Sequence, residues 1–65
     1  MDTFNDACIS NKLKYQDIGY GDIEVEYMGE FFYINTRDCC ISDGYCVPMR
    51  VTPKSLMPCL ARLTQ

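Results

Sequence analysis

The chain has 65 residues, nine acids against six Lys and Arg for a net charge of −3, and no histidine. A chain this short forms one domain, spanning 1–65, and buries only about 60% of its unfolded surface. That leaves too little wall for a deep catalytic pocket, and the missing histidine removes Ser-His and Cys-His nucleophile schemes; a non-enzymatic binding protein is expected. The five Tyr and three Phe argue against disorder.

The N-terminal stretch from Thr3 to Tyr15 reads as a helix. Asp2 or Thr3 can cap it, Asp6 lies near its start, and Lys12 and Lys14 lie near its end, the order that suits a helix dipole. Phe4, Ala7, Cys8, Asn11 and Tyr15 share one face. Gly19 and Gly21 break the pattern, so Asp17 to Gly21 reads as a turn. From Asp22 to Met28 the chain alternates, with Ile23, Val25 and Tyr27 on one side and Asp22, Glu24, Glu26 and Met28 on the other, which predicts a half-buried strand. Gly29 turns the chain, and Glu30 to Arg37 forms a second strand with Phe32 and Ile34 on one face and Phe31 and Tyr33 on the other. Asp43-Gly44 is a hairpin signal, predicting a third strand from Tyr45 to Val51 that lies at a sheet edge because Pro48 has no N–H. Leu56, Leu60 and Leu63 mark a C-terminal helix. Its start is best placed with Ser55 as cap, Thr52 to Lys54 as a turn, and Pro58 in the first helical turn, where its missing N–H costs nothing.

The predicted fold is therefore α+β: a three-stranded antiparallel meander with an N-terminal and a C-terminal helix on one face, in the order α-β-β-β-α. Its core is predicted from Ile23, Val25, Phe32, Ile34 and Val47 with Phe4, Leu13, Leu56, Leu60 and Leu63. The other sheet face is left to solvent.

Charge is segregated along the chain. From Tyr15 to Thr36 there is no Lys or Arg, and that stretch holds Asp17, Asp22, Glu24, Glu26 and Glu30; after Asp43 only Arg50, Lys54 and Arg62 carry charge. Glu24 and Glu26, two residues apart on a strand, point the same way at roughly 7 Å spacing, and Asp22 extends the row. A solvated strand face is one reading of this row. The sharper reading is a decoy for a phosphate backbone, accepted by a protein groove lined with Lys and Arg. Asp17, Asp22, Glu24, Glu26, Glu30, Tyr20 and Tyr33 are the candidate partner-binding residues, since tyrosine is favoured at protein interfaces and suits an Arg-rich partner beside Glu. The acids repel phosphate, so no direct nucleic-acid binding is expected. A different class of reading is a small accessory or structural subunit held to its partner by Phe31, Tyr33, Met28 and Met49.

No cofactor and no metal are expected. Cys39 and Cys40 are adjacent and point to opposite sides of a strand, and no C-x-x-C pair occurs, so a zinc module on Cys39, Cys40 and Cys46 is the weaker alternative. Cys8, Cys40 and Cys59 read as small buried hydrophobes. The acidic start MDTFNDACIS lacks the apolar core of a signal peptide. No run reaches the roughly 18 apolar residues of a membrane span. A cytoplasmic monomer with five reduced thiols is the resulting expectation.

The Asp22-Ile-Glu-Val-Glu26 strand and the acid-only span from Asp17 to Glu30, in a tiny histidine-free α/β chain rich in tyrosine, resemble the small phage-encoded anti-CRISPR proteins, including those aimed at type I-C systems. The resemblance covers the character of the whole chain and rests on no specific motif. It implies a protein acting in a host cytoplasm, binding a subunit of a CRISPR surveillance complex through its acidic face, and blocking DNA access or nuclease recruitment.

Overall fold

The computed structural model describes residues 3–44 and 48–65. Its elements run α1 (Phe4–Ser10), β1 (Lys14–Gly19), β2 (Asp22–Tyr27), β3 (Glu30–Asn35), β4 (Cys40–Ser42), β5 (Met49–Arg50), a 3₁₀ turn (Pro53–Ser55) and α2 (Leu56–Leu63). The strands form one antiparallel sheet in sequence order, β1-β2-β3-β4-β5. The α+β class holds, with five strands in place of the expected three.

Both extra strands have local physical causes. Thr3 caps α1 through a reciprocal box, with Asp6 N–H donating to Thr3 Oγ1 at 3.0 Å and Thr3 N–H to Asp6 Oδ2 at 3.4 Å. The helix then stops after two turns rather than running to Tyr15. Lys12 takes the left-handed conformation at φ 56°, Leu13 N–H returns to Cys8 O at 2.9 Å, and Lys12 N–H returns to Ile9 O at 3.1 Å. This is a Schellman stop made with lysine instead of the usual glycine, so composition gives no warning of it. The freed segment Lys14–Gly19 pairs with β2 as a strand. At the far side of the sheet, Asn35 Oδ1 accepts from the N–H groups of Arg37 and Asp38. That turn ends β3 two residues before the expected Arg37 and delivers β4. Strand structure in the expected third strand is seen at Met49–Arg50; Tyr45, Cys46 and Val47 lie outside the described residues, and with them the core placement of Val47.

Two short hairpins link the first three strands. Tyr20-Gly21 (φ 57° and 80°) and Met28-Gly29 (φ 53° and 78°) each have two consecutive positive φ values, the pattern of a type I′ turn, which matches the twist of the flanking strands. At Gly21 there is a second constraint, because an added Cβ would come 3.1 Å from the Arg37 side chain.

The helices lie over one sheet face. Ile23, Val25, Phe32, Ile34 and Ile41 from the sheet cluster with Phe4 and Cys8 of α1, with Val51, and with Leu56, Cys59 and Leu60 of α2. Leu13 and Leu63, expected in the core, are half-buried against it. Burial raises the Cys8 thiol above its ordinary range, because the thiolate loses its hydration. Cys8 and Cys59 are thus buried as expected, whereas Cys40 pairs with Asn35 on the opposite face and is only half-buried.

Ser55 stands at the N-cap of α2 as expected, but its side chain makes no cap bond to that helix. The side-chain cap is one element earlier, where Thr52 caps the 3₁₀ turn: Ser55 N–H donates to Thr52 Oγ1 at 3.2 Å, and Thr52 N–H donates to Ser55 Oγ at 2.9 Å. Pro53 leads the 3₁₀ turn, and Pro58 still falls in the first turn of α2. Thr52→Ala removes this reciprocal cap and should cost about 1 kcal/mol, read as a lowered urea midpoint at unchanged slope.

Candidate functional site

The register of β2 decides what the helix-free face displays. Ile23 and Val25 are 4% and 0% exposed, so Asp22, Glu24 and Glu26 stand together on the opposite side, half-buried. Directly opposite residues share a face. On β3, Phe31 faces Glu26, Tyr33 faces Glu24, and Asn35 faces Asp22. On β1, Lys14 faces Glu26 and Gln16 faces Glu24. The open face is therefore an acidic row with an aromatic flank, Phe31 at 52% and Tyr33 at 40% exposure. A shallow groove of about 130 Å³ lies among Lys14, Tyr15, Gln16, Glu24, Glu26 and Phe31.

The seven candidate residues divide. Asp22, Glu24, Glu26 and Tyr33 come together on this face. Asp17 does not join them: it sits opposite Ile23, on the helix side of the edge strand, where its Oδ1 accepts from Gly19 N–H at 2.9 Å. Glu30 pairs with Tyr27 and lies at the rim, beside the groove it lines with Phe31, Tyr33 and Asp43. Tyr20 protrudes from the first hairpin tip, 88% exposed, apart from the row. The strand period of two separates Asp17 and Glu30 from the other acids, although all five lie in one acid-only span of sequence.

Lys14 is the residue that sequence reasoning missed. Read as the end of a helix, it instead stands opposite Glu26, so the row of acids has a cation at one corner. Arg50, opposite Cys40, brings a second cation to the far edge of the same sheet face. The field over this face is accordingly mixed, not one-signed. Of the residues proposed for an apolar interface, Phe31 and Tyr33 are on this face and Met28 is 76% exposed at the second hairpin tip. Met49 pairs with Ile41 and packs half-buried against the core, which removes it from that set.

Chemically, this face offers spaced carboxylates and ring faces with no wall over them. The groove along the acidic row is smaller than the roughly 300–1,000 Å³ of ordinary ligand pockets, the one at the rim beside Glu30, Phe31 and Tyr33 is about 520 Å³, and both are shallow and open, which suits contact with a macromolecule. Among the described residues no group of three or more His, Cys, Asp or Glu side chains is placed to hold a metal ion, and no helix is long and apolar enough to cross a membrane. Cys46, the third cysteine of the zinc alternative, lies outside the described residues. The fold and this face define a small α+β protein with one open, acid-and-aromatic sheet surface. Comparison of the chain with protein-family models, curated proteins and solved structures gave no match.

Proposed function

We propose that this protein is a non-enzymatic, stoichiometric inhibitor that acts in the cytoplasm by docking its open sheet face onto the basic surface of a nucleic-acid-binding complex. The resemblance of the chain to small anti-CRISPR proteins makes a CRISPR surveillance subunit in a host cytoplasm the leading target, with DNA access as the step blocked. The observation that supports this reading is the co-facial set Glu24, Glu26, Phe31 and Tyr33. Carboxylates beside exposed rings can engage arginine by charge and by stacking in one contact. Lys14 beside Glu26 favours docking to a protein surface over close imitation of a phosphate backbone, since a phosphate row carries no cation.

Exposed Phe31, Tyr33 and Met28 favour a second reading, an accessory subunit held by apolar contacts. One experiment separates the two. Tagged protein is used to capture partners from host lysate at low and at high salt, with identification by mass spectrometry. The inhibitor reading expects a nucleic-acid-binding complex whose capture falls steeply as salt rises, because exposed charge pairs are screened beyond about 8–10 Å. Capture that is indifferent to salt overturns it in favour of the apolar subunit.

A further inference from the structure

The two edges of the sheet are unlike. β5 is two residues long and follows Pro48, so it offers little for another strand to pair with. β1 is six residues long, contains no proline and is exposed at every position. Tyr15 and Ile18, 37% and 45% exposed, lie on it.

The direction of its backbone groups follows from one bond. Thr36 N–H donates to Gly21 O at 2.9 Å, so the odd-numbered residues of β2 turn their backbone groups towards β3 and the even-numbered ones towards β1. On β1, Lys14 and Gln16 therefore bond to β2. The N–H and C=O groups of Tyr15 and Asp17 point outward, past the edge of the sheet. Leu13, next in that outward series, already donates its N–H to Cys8 O.

The geometry points to a second copy of this chain as the occupant of that edge, paired antiparallel through β1 about a two-fold axis, so that the two sheets join into one. Such an axis keeps the faces of the sheets matched only when the paired residue numbers sum to an even value. Centring the axis on Tyr15 would set Asp17 against Leu13, whose N–H is taken. Centring it on Gln16 sets Tyr15 against Asp17 of the other copy, twice over, and uses the outward groups of Tyr15 and Asp17, the regular part of β1 before its register shifts between Asp17 and Gly19, in four hydrogen bonds. Each aromatic ring then meets a short side chain and not its own copy. The charges permit it: Lys14 and Asp17 cancel within each β1. The two Glu24 side chains stand three strand spacings apart, roughly 14 Å, beyond the screening distance of about 8–10 Å. The dimer departs from the monomer expected from sequence. It doubles the open face without covering it, and it does not depend on which partner that face binds.

The test is amide hydrogen exchange and sedimentation of the native chain from micromolar to millimolar concentration. The expected result is a rise in mass towards twice the monomer, with exchange at Tyr15 and Asp17 slowing on the order of tenfold over the same range. Tyr15→Pro removes an outward N–H that the fold does not use, and edge positions tolerate proline; it should keep the native circular dichroism and remain monomeric. A monomer at every concentration overturns the proposal and leaves the edge to other partners. So does a dimer in which the Tyr15 and Asp17 amides exchange freely, or a dimer that survives Tyr15→Pro. If that variant does not fold, exchange in the native chain decides alone.

Discussion

Glu24→Lys combined with Glu26→Gln is expected to slow association with the partner by about tenfold to a hundredfold at low salt, with a much smaller loss at high salt. The pairing of these residues on one face is the reason: two neighbouring contacts lose their attraction together, and one becomes repulsive. Glutamine is chosen at position 26 because lysine there would confront Lys14 directly across the β1–β2 pair, and like charges in that position destabilise the sheet. The chosen variant should unfold within about 1 kcal/mol of the native chain, since both side chains stand on the open face and surface changes seldom exceed that. Association kinetics at two salt concentrations, with a denaturation curve as control, check it. An unchanged rate would mean that the acidic row takes no part in docking.

The second large effect separates two adjacent phenylalanines. Phe32→Ala should cost about 3–5 kcal/mol, because a 1% exposed ring between β2 and β4 leaves a cavity that its neighbours cannot fill. Stability runs at roughly 0.05–0.15 kcal/mol per residue, so the loss would unfold much of the population. Phe31→Ala, one position earlier on the open face and 52% exposed, should cost less than about 1 kcal/mol. Urea denaturation of the two variants side by side reads the difference directly. Equal losses would mean that β3 presents the wrong face to the helices, and the site built on its register would go with it.

How much of this was legible depended on the distance over which each signal acts. The alternation through Ile23, Val25, Phe32 and Ile34 is local, and the penalty for burying unpaired carboxylates makes its direction unambiguous; the core of the central strands and the placement of Glu24 and Glu26 followed from it. Phe4, Leu56 and Leu60 were legible for the same reason, through helical spacing. Ile41 and Val51 carry no such mark, because their short segments hold no full period, and they are buried by what lies beside them.

The amino-acid sequence by itself determined an α+β domain, a buried side and an acidic side for β2, and glycine turns at both of its ends. The tertiary structure alone decided that α1 stops at Ser10, that Lys14–Gly19 becomes an edge strand, and that Lys14 stands beside Glu26 while Asp17 and Glu30 lie away from the acidic row. The physical reason is that a left-handed lysine, held by bonds back to Ile9 and Cys8, has no compositional mark. A charge count along the chain, likewise, cannot tell which side chains the pairing of strands will bring to one face.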